Sequence, residues 1–553
     1  GGRAGPDIAA AAKIAGLDAD DDVARIHAAG DYRVFFLGFT GGFPYLGGLS
    51  DQLSMVPRLP TPRQKVPKGA VGIAAGQTGV YTLSSPGGWY LLGKTDLNLF
   101  DPTQDPPALL RPGDSVKFVP VDAGSEAEGE DSDDEEAEEE EEEEEAAGAD
   151  EYIPDHPCIE VLAPGPMTTV QDTGRRGYAR HGVSRSGAAD SIAIRMGNAL
   201  LGNSANAAGL EVAMGGLKFR CVGGSPAPDD DNSGGISAGC AVTLTGADCG
   251  ASLCRMSDSG ETAVIALRFN EVIKMMPGDE IELGFARDGA RAYVCVHGGV
   301  DVPEVLGSRS TDLRAKMGGV GGRVLRAGDV LGNVGPEKSA RLLRSVNDPL
   351  RDAPLPASSD KSTTWRLRVL PGPGDPSTYD DDSEAAAAAA AAVSPELEAL
   401  VSAGRTFDVL PRSDRMAVIV SKSADGDGAA GGAGGLVGGQ QMSEACVSGT
   451  IQLPPDGNPV ILLAEHQTTG GYKVPGVVIQ ADLWQVGQMR PGDKLVFEET
   501  TVDAAADALR RLHAQAAETE IRPMTGNELD LQRLARGVNQ MGDVQQYGGW
   551  IGS

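Results

Sequence analysis

The octapeptide GWYLLGKT, residues 88–95, satisfies G-x-x-x-x-G-K-[ST], a spacing with which backbone N–H groups curl around a phosphate ahead of a helix. Its free positions are Trp89, Tyr90, Leu91 and Leu92, large apolar residues that favour strands, and DLNLFDPTQDPP follows with three prolines and no amphipathic helix. The segment therefore reads as a buried strand closed by a glycine turn. Two other turns are better candidates for chemistry. Gln77 and Thr78 in GQTGVY, and Gln467, Thr468, Thr469 and Gly470 in EHQTTGGY, sit beside glycines that bare the backbone. Amide and hydroxyl donors there can reach a carboxylate or a phosphate. In QDTGRRGY, Gln171, Asp172 and Arg175 place a carboxylate beside a guanidinium fork. Such a pair serves as a substrate clamp or as a structural ion pair, and the neighbouring Gly174 and Gly177 favour the clamp. Gln467, Thr468, Gln171 and Asp172 are the residues expected at a reacting centre.

Around them stand candidates for binding. Phe43, Pro44 and Tyr45 follow Gly42 in a stiff turn bearing two rings, suited to wall a small polar ligand or to fill a core. Arg309 and Ser310 in GSRST combine a guanidinium, hydroxyls and backbone N–H groups, as phosphate recognition requires and as an ordinary capped loop also does. Arg415 in RSDRM is a further anion ligand. His181, Ser186, Gly187 and Asp190 contain the residue types of a hydrolase triad, but without a G-x-S-x-G elbow they are not read as one. Ser186 and Gly187 remain binding candidates. Six scattered histidines form no metal constellation.

The elements that must position these residues are mostly strands. YRVFFLGF, AVGIAAG, GVYTLSS, RAYVCVHGGVDV, MAVIVSK and PVILLAE are short apolar or alternating runs closed by Gly or Pro. Helical stripes are expected at 6–16, 191–202 and 502–518. The 76 glycines, 35 prolines and 5% aromatic content suit turn-dense β architecture. At 553 residues, the chain should hold two to four domains. Between Glu126 and Glu145 lie sixteen acids in twenty residues, half of the net charge of −32. The rest is still acidic, which excludes nucleic acid and anionic membrane as natural partners. Seven cysteines at irregular spacing form no disulfide framework, so the expected compartment is intracellular, most naturally the cytoplasm. The chain opens GGRAGPD without Met, which keeps an organellar location open. An internal echo adds organisation: GQTGVYTL precedes RPGDSVKFVPV just as HQTTGGYKV precedes RPGDKLVFEET, suggesting two related barrel-like units.

Longer blocks carry a family resemblance. LGFTGGFPYLGGLSDQLSMVPRLPTPRQKVPKGAVGIAAGQTGVYTLSSPGGWYLLGKT resembles the Kip-inhibitor type carboxyltransferase domain, found also as the B-type component of 5-oxoprolinase. LAPGPMTTVQDTGRRGYARHGVSRSGAADSIAIRMGNALLGNSANAAGLEVAMGG resembles the Kip-antagonist type, the C-type component, and that likeness continues through LPRSDRM and LLAEHQTTGGYKVPGVVIQADLWQVGQMRPGD. The resemblance implies a mainly β fold with some α, cyclophilin-like β-barrel carboxyltransferase domains in tandem. It divides the chain into a B-type domain at 1–122, lacking its N-terminal half, and an acidic linker at 123–150. A C-type domain at 151–500 follows, with insertions near 225–235, 380–393 and 424–439, and a helical or disordered tail at 501–553.

By the same resemblance, the function is part of an ATP-dependent 5-oxoprolinase that opens 5-oxoproline to glutamate with an A-type partner protein, in an oligomeric assembly. Mg²⁺ would arrive with ATP. His466 stands where relatives often carry another polar residue, so it is not taken as the base. Related domains in urea carboxylase instead pass a carboxyl group from carboxybiotin to urea, which needs a carrier. No Met-Lys-Met-like biotin attachment turn is present in this chain. A third implication is a non-catalytic regulator that binds a sensor kinase.

Overall fold

The computed structural model describes residues 5–121, 154, 156–223, 239–256, 260–334, 343–345, 364–372, 394–423, 436–518 and 521–523. The acidic linker 123–150 and the insertions at 225–235 and 380–393 lie outside the described residues, as do 424–435 of the third insertion and the tail beyond 523.

All three expected helices form. Ile8–Ala15 turns Ile8, Ala11, Ala12 and Ala15 inward and stops at Gly16, whose φ of 66° suits a residue without a β-carbon. A second helix, Asp20–Ala29, packs against it and was not expected, because its acidic first turn and two inward residues, Val23 and His27, leave almost no apolar stripe. Beneath these helices lies a six-stranded antiparallel sheet in the order 90–94, 70–74, 77–80, 44–47, 32–37, 115–116. GWYLLGKT supplies its edge strand Tyr90–Lys94, with Trp89 to Leu92 buried and Lys94 exposed. No helix follows it.

The stretch read as one C-type domain contains two sheet systems. Residues 156–334 form a five-stranded sheet (167–171, 209–213, 291–296, 240–246, 272–275) facing a seven-stranded one (262–266, 252–256, 280–282, 218–221, 157–163, 330–333, 300–301). Val170, Leu210, Phe219, Leu253, Ile281 and Val294 fill the space between them. Helix Ser191–Leu200 lies against the five-stranded sheet, its N-terminus capped by Asp190, which accepts from Ile192 N and Ala193 N.

Residues 364–499 form a seven-stranded closed barrel. Thr364–Pro371 pairs in parallel with Lys494–Glu499 on one side and antiparallel with Thr469–Val478 on the other, so the ring has no open edge. Leu367, Phe407, Val420, Ile451 and Leu495 fill it, and the short helix Pro395–Val401 adds Leu397 and Leu400. Gln440–Ala445 is an eighth strand attached to the outside of Thr469–Val478. The third expected helix, Val502–Glu518, packs Ala508 beside Ile479 and Ala481. Among the described residues no helix is long and apolar enough to cross a membrane.

Candidate functional site

The loop before Thr469–Val478 is zipped to the RSDRM turn: Glu465 N donates to Arg415 O at 3.0 Å and Leu463 N to Met416 O at 2.8 Å. Cys446 N donates to Thr468 O at 2.9 Å from the other side. The two glycines after Thr469 leave room for polar side chains. A β-carbon on Gly470 would lie 2.0 Å from Gln452 Nε2, and one on Gly471 would lie 2.4 Å from Arg58 Nη1. Gln467 Nε2 in turn donates to Gln452 Oε1 at 3.1 Å.

This loop faces the N-terminal sheet. Tyr45 OH and Thr469 Oγ1 share a hydrogen bond of 3.1 Å, and Arg58 Nη2 donates to Ser443 Oγ at 2.8 Å. Between the two units lies a cavity of about 600 Å³. Phe39, Phe43, Tyr45 and Trp89 form its apolar wall. Its polar groups include Arg58, Arg314, Asp414, Arg415, Glu465 and Gln467. A water-sized niche of about 20 Å³ shares Phe39, Arg314, Glu465 and Gln467 and adds His466.

The electrostatics are set by one buried cluster. Arg415 donates Nε to Glu465 Oε1 at 2.6 Å, Nη1 to Glu211 Oε1, and Nη2 to Gly187 O at 2.8 Å. Burial disfavours its charge, but the two carboxylates more than offset this and hold the guanidinium above its ordinary value. Burial would likewise raise Glu211, yet Arg415 and Arg291 keep it below the usual carboxylate range. Glu465, only 5% exposed, is held above that range by burial, with Asp312 and Glu211 adding to the rise against Arg415. It is the one member of the cluster that reaches both the cavity and the niche. Burial pushes His466 below the ordinary imidazole value, and its Nδ1–H points to Gln467 O at 2.7 Å.

The cavity collects Phe43, Tyr45, Arg415, Gln467, Thr469 and Gly470 from the expected set. Phe43 and Tyr45 line the cavity and also pack with Trp89 at 5.4 and 5.7 Å. Pro44 begins a buried strand behind them. Thr468 lies one residue off the wall, buried, its Oγ1 without a partner. Arg415 reaches the cavity wall already paired, with Nε on Glu465, Nη1 on Glu211 and Nη2 on Gly187 O.

Other candidates are placed elsewhere. Gln77 and Thr78 stay in the N-terminal sheet, where Thr78 donates to Gly72 O at 3.0 Å and bonds His27 Nε2 at 2.8 Å. Asp172 and Arg175 are not a pair. Asp172 Oδ1 accepts from Ser308 Oγ, Ser310 Oγ and Gly174 N, and Oδ2 accepts from Arg309 N at 2.7 Å, so it knots two loops together. Arg175, 2% exposed, donates to the carbonyls of Val305 and Ser310. Gln171 donates to Thr169 Oγ1 at 3.0 Å and to Thr311 O at 3.2 Å. The Arg309 side chain turns outward to Glu304 at 2.5 Å. Ser186 donates to Asp312 Oδ2 at 3.1 Å, and Gly187 gives its carbonyl to Arg415. With Asp190 capping a helix and His181 accepting from Arg180, no Ser–His–Asp relay forms. Arg58 and Arg314 were missed: they sit in PRLPTPRQK and TDLRAK with nothing in their spacing to mark them.

A family model described as carboxyltransferase domain, subdomain A and B, matches residues 181–499, and one for subdomain C and D matches residues 1–110. Over 124 residues (22% of this chain, 56% of the relative) the sequence is 55% identical to the B subunit of 5-oxoprolinase from Escherichia coli O157:H7. Over 357 residues (63% of this chain, 94% of the relative) it is 30% identical to the C subunit of 5-oxoprolinase from Escherichia coli K12. Urea amidolyase of Lachancea kluyveri is 32% identical over 349 residues, 62% of this chain and 17% of that protein. The crystal structure of TTHA0988 superposes with a TM-score of 0.66 at 32% identity, covering 89% of this chain and 83% of that one. The chain belongs to the carboxyltransferase domain family. Within it, this protein carries on one chain the counterparts of the B and C subunits of 5-oxoprolinase, spanning about half the length of its B-type relatives.

Proposed function

We propose that the chain is the fused B–C component of an ATP-dependent 5-oxoprolinase and that the cavity is where the lactam is opened. The observation that carries this reading is the origin of the cavity wall. Residues 39–89 come from the segment similar to the B-type relatives, and residues 414–472 from the segment similar to the C-type relatives. A site shared across two former subunits gives a reason to join them covalently. Opening 5-oxoproline is uphill at an unactivated amide. ATP would supply the driving force by phosphorylating the carbonyl oxygen, so that water adds to the activated carbon, the ring C–N bond breaks with the proton going to the leaving amine, and a second water releases phosphate; an A-type partner protein would complete the assembly. This chain's part is to hold the ring and move protons. The Gln467 amide and the unpartnered Thr468 hydroxyl present hydrogen-bonding groups beside Glu465, a carboxyl that burial holds above its ordinary range and that reaches the cavity as a candidate proton carrier. Mg²⁺ would enter with the nucleotide, whose phosphates are its usual ligands.

Mixing the protein with an A-type partner, 5-oxoproline and ATP should release glutamate and ADP, and Glu465→Gln should abolish release while nucleotide binding persists. Absence of turnover with any A-type partner overturns the reading. The similarity to urea amidolyase supports a second reading, biotin-dependent carboxyl transfer to urea or a similar amide. A biotinylated carrier copurifying with the protein, detected on a streptavidin blot, would favour it.

A further inference from the structure

We infer that Arg58 and Arg314 form a two-point receptor for a carboxylate, so that the ligand of the cavity is a small cyclic amide carrying one; this rests on the reading of the cavity as the lactam site. The protein as a whole carries a net charge of −32, yet the cavity wall holds three guanidiniums against two carboxylates, Asp414 and Glu465. Arg415 is neutralised by Glu211 and Glu465. Among the described residues no carboxylate lies within ion-pair distance of Arg58 or Arg314; Asp312 and Asp414 act on Arg314 only from farther away.

Both side chains are held with donors to spare. Arg58 uses Nη2 on Ser443, and Gly471 lets its guanidinium lie against bare backbone. Arg314 rests over the Phe39 ring at 4.8 Å, its Nε is buried without a partner, and Nη1 has only the Met416 sulfur at 3.9 Å. A buried guanidinium donor with no oxygen to bind is costly unless a ligand brings the acceptor. Tyr45 lies within electrostatic reach of both arginines, which places them around one region of the cavity. Two forks facing one space match the two oxygens of a carboxylate. Phe43 and Trp89 offer an apolar face for ring methylenes, while Gln467 and Glu465 suit an amide. A phosphate group shares the anionic chemistry, but it has no use for that combination.

The test is calorimetric titration of the full chain with 5-oxoproline, uncharged 2-pyrrolidinone and inorganic phosphate, alone and with an A-type partner. The variants are Arg58→Met, Arg314→Met, Arg314→Lys and Gly471→Ala. Wild type should bind 5-oxoproline, and each Arg→Met change should weaken it roughly 10- to 100-fold. Gly471→Ala should weaken it with both arginines still present, and the weak binding of 2-pyrrolidinone should not move. Arg58 is only partly buried, so its replacement tests the receptor even where Arg314→Met fails to fold; Arg314→Lys keeps the charge and removes the fork. If 5-oxoproline binds the variants as it binds wild type, the receptor is overturned and the lactam site stands. Should phosphate alone bind, and be lost in the variants, the carboxylate assignment is overturned. Failure of wild type to bind 5-oxoproline under either condition overturns the lactam reading itself.

Discussion

Replacing Arg415 with Met tests the cluster behind the cavity. The side chain is 3% exposed and satisfies Glu465, Glu211 and the Gly187 carbonyl, thereby joining the barrel to the five-stranded sheet. Methionine fills much of the stem's volume but leaves two buried carboxylates without their shared cation. Breaking a buried pair by removing one partner costs about 3–5 kcal/mol, a large share of a domain's total stability of about 5–15 kcal/mol. Glu211 retains Arg291 at 3.4 Å and the Tyr293 hydroxyl at 2.7 Å, so the lower half of that range is expected. The loss should depend on pH. In wild type, Glu211 titrates below its unfolded value, so its contribution is present above the ordinary glutamate range and fades as pH falls through the folded value. Without Arg415, both carboxylates are pushed upward by burial, and protonating them relieves the defect. The gap between variant and wild type should therefore be widest at alkaline pH and shrink as the solution is acidified. Urea denaturation read by tryptophan fluorescence follows the loss, with Trp365 and Trp484, edge to face at 6.4 Å, reporting from the barrel and Trp89 from the N-terminal unit. A gap below about 1 kcal/mol at pH 8, or one that does not narrow on acidification, would refute the reasoning.

Three further outcomes are expected. Asp172→Asn should lower stability by about 2–3 kcal/mol, since the amide cannot accept all four bonds that knot its loops; a thermal melt checks this, and lost turnover with unchanged stability would instead mark Asp172 as chemical. Burial lowers His27 to about 4, so between that value and 6.5 the unfolded chain binds the extra proton and stability falls as pH drops across this window, by up to about 3 kcal/mol; His27→Gln should flatten that acid limb in urea titrations. Lys94→Ala should leave nucleotide affinity nearly unchanged, because Lys94 is an exposed residue at the end of an edge strand; a ~100-fold loss, about 2.7 kcal/mol, would restore the phosphate-loop reading.

The strands and three helices were legible because period and punctuation are local: Gly16 ends one helix, and Asp190 caps another. The Gln-Thr echo falls near a strand start in each unit, at Gln77 and at Thr469, but the surroundings differ. Thr78 looks into a histidine, whereas Gln467 and Thr469 look into a cavity. Arginine roles were the least legible. Arg175, Arg309 and Arg415 stood beside promising neighbours in sequence, yet each found its partners more than 100 residues away, beside a surface acid, or in a buried cluster. Arg58 and Arg314 matter because no carboxylate lies within ion-pair distance of either among the described residues, a property of tertiary contacts that spacing does not encode.

The parallel pairing that seals the barrel has a consequence for synthesis. Its first strand, Thr364–Pro371, leaves the ribosome long before its partner Lys494–Glu499 exists, and no hairpin can shelter it meanwhile. During that interval an apolar β edge stands open to any chain nearby, so a pause or truncation upstream of residue 494 would yield an adhesive ring fragment rather than a smaller working protein.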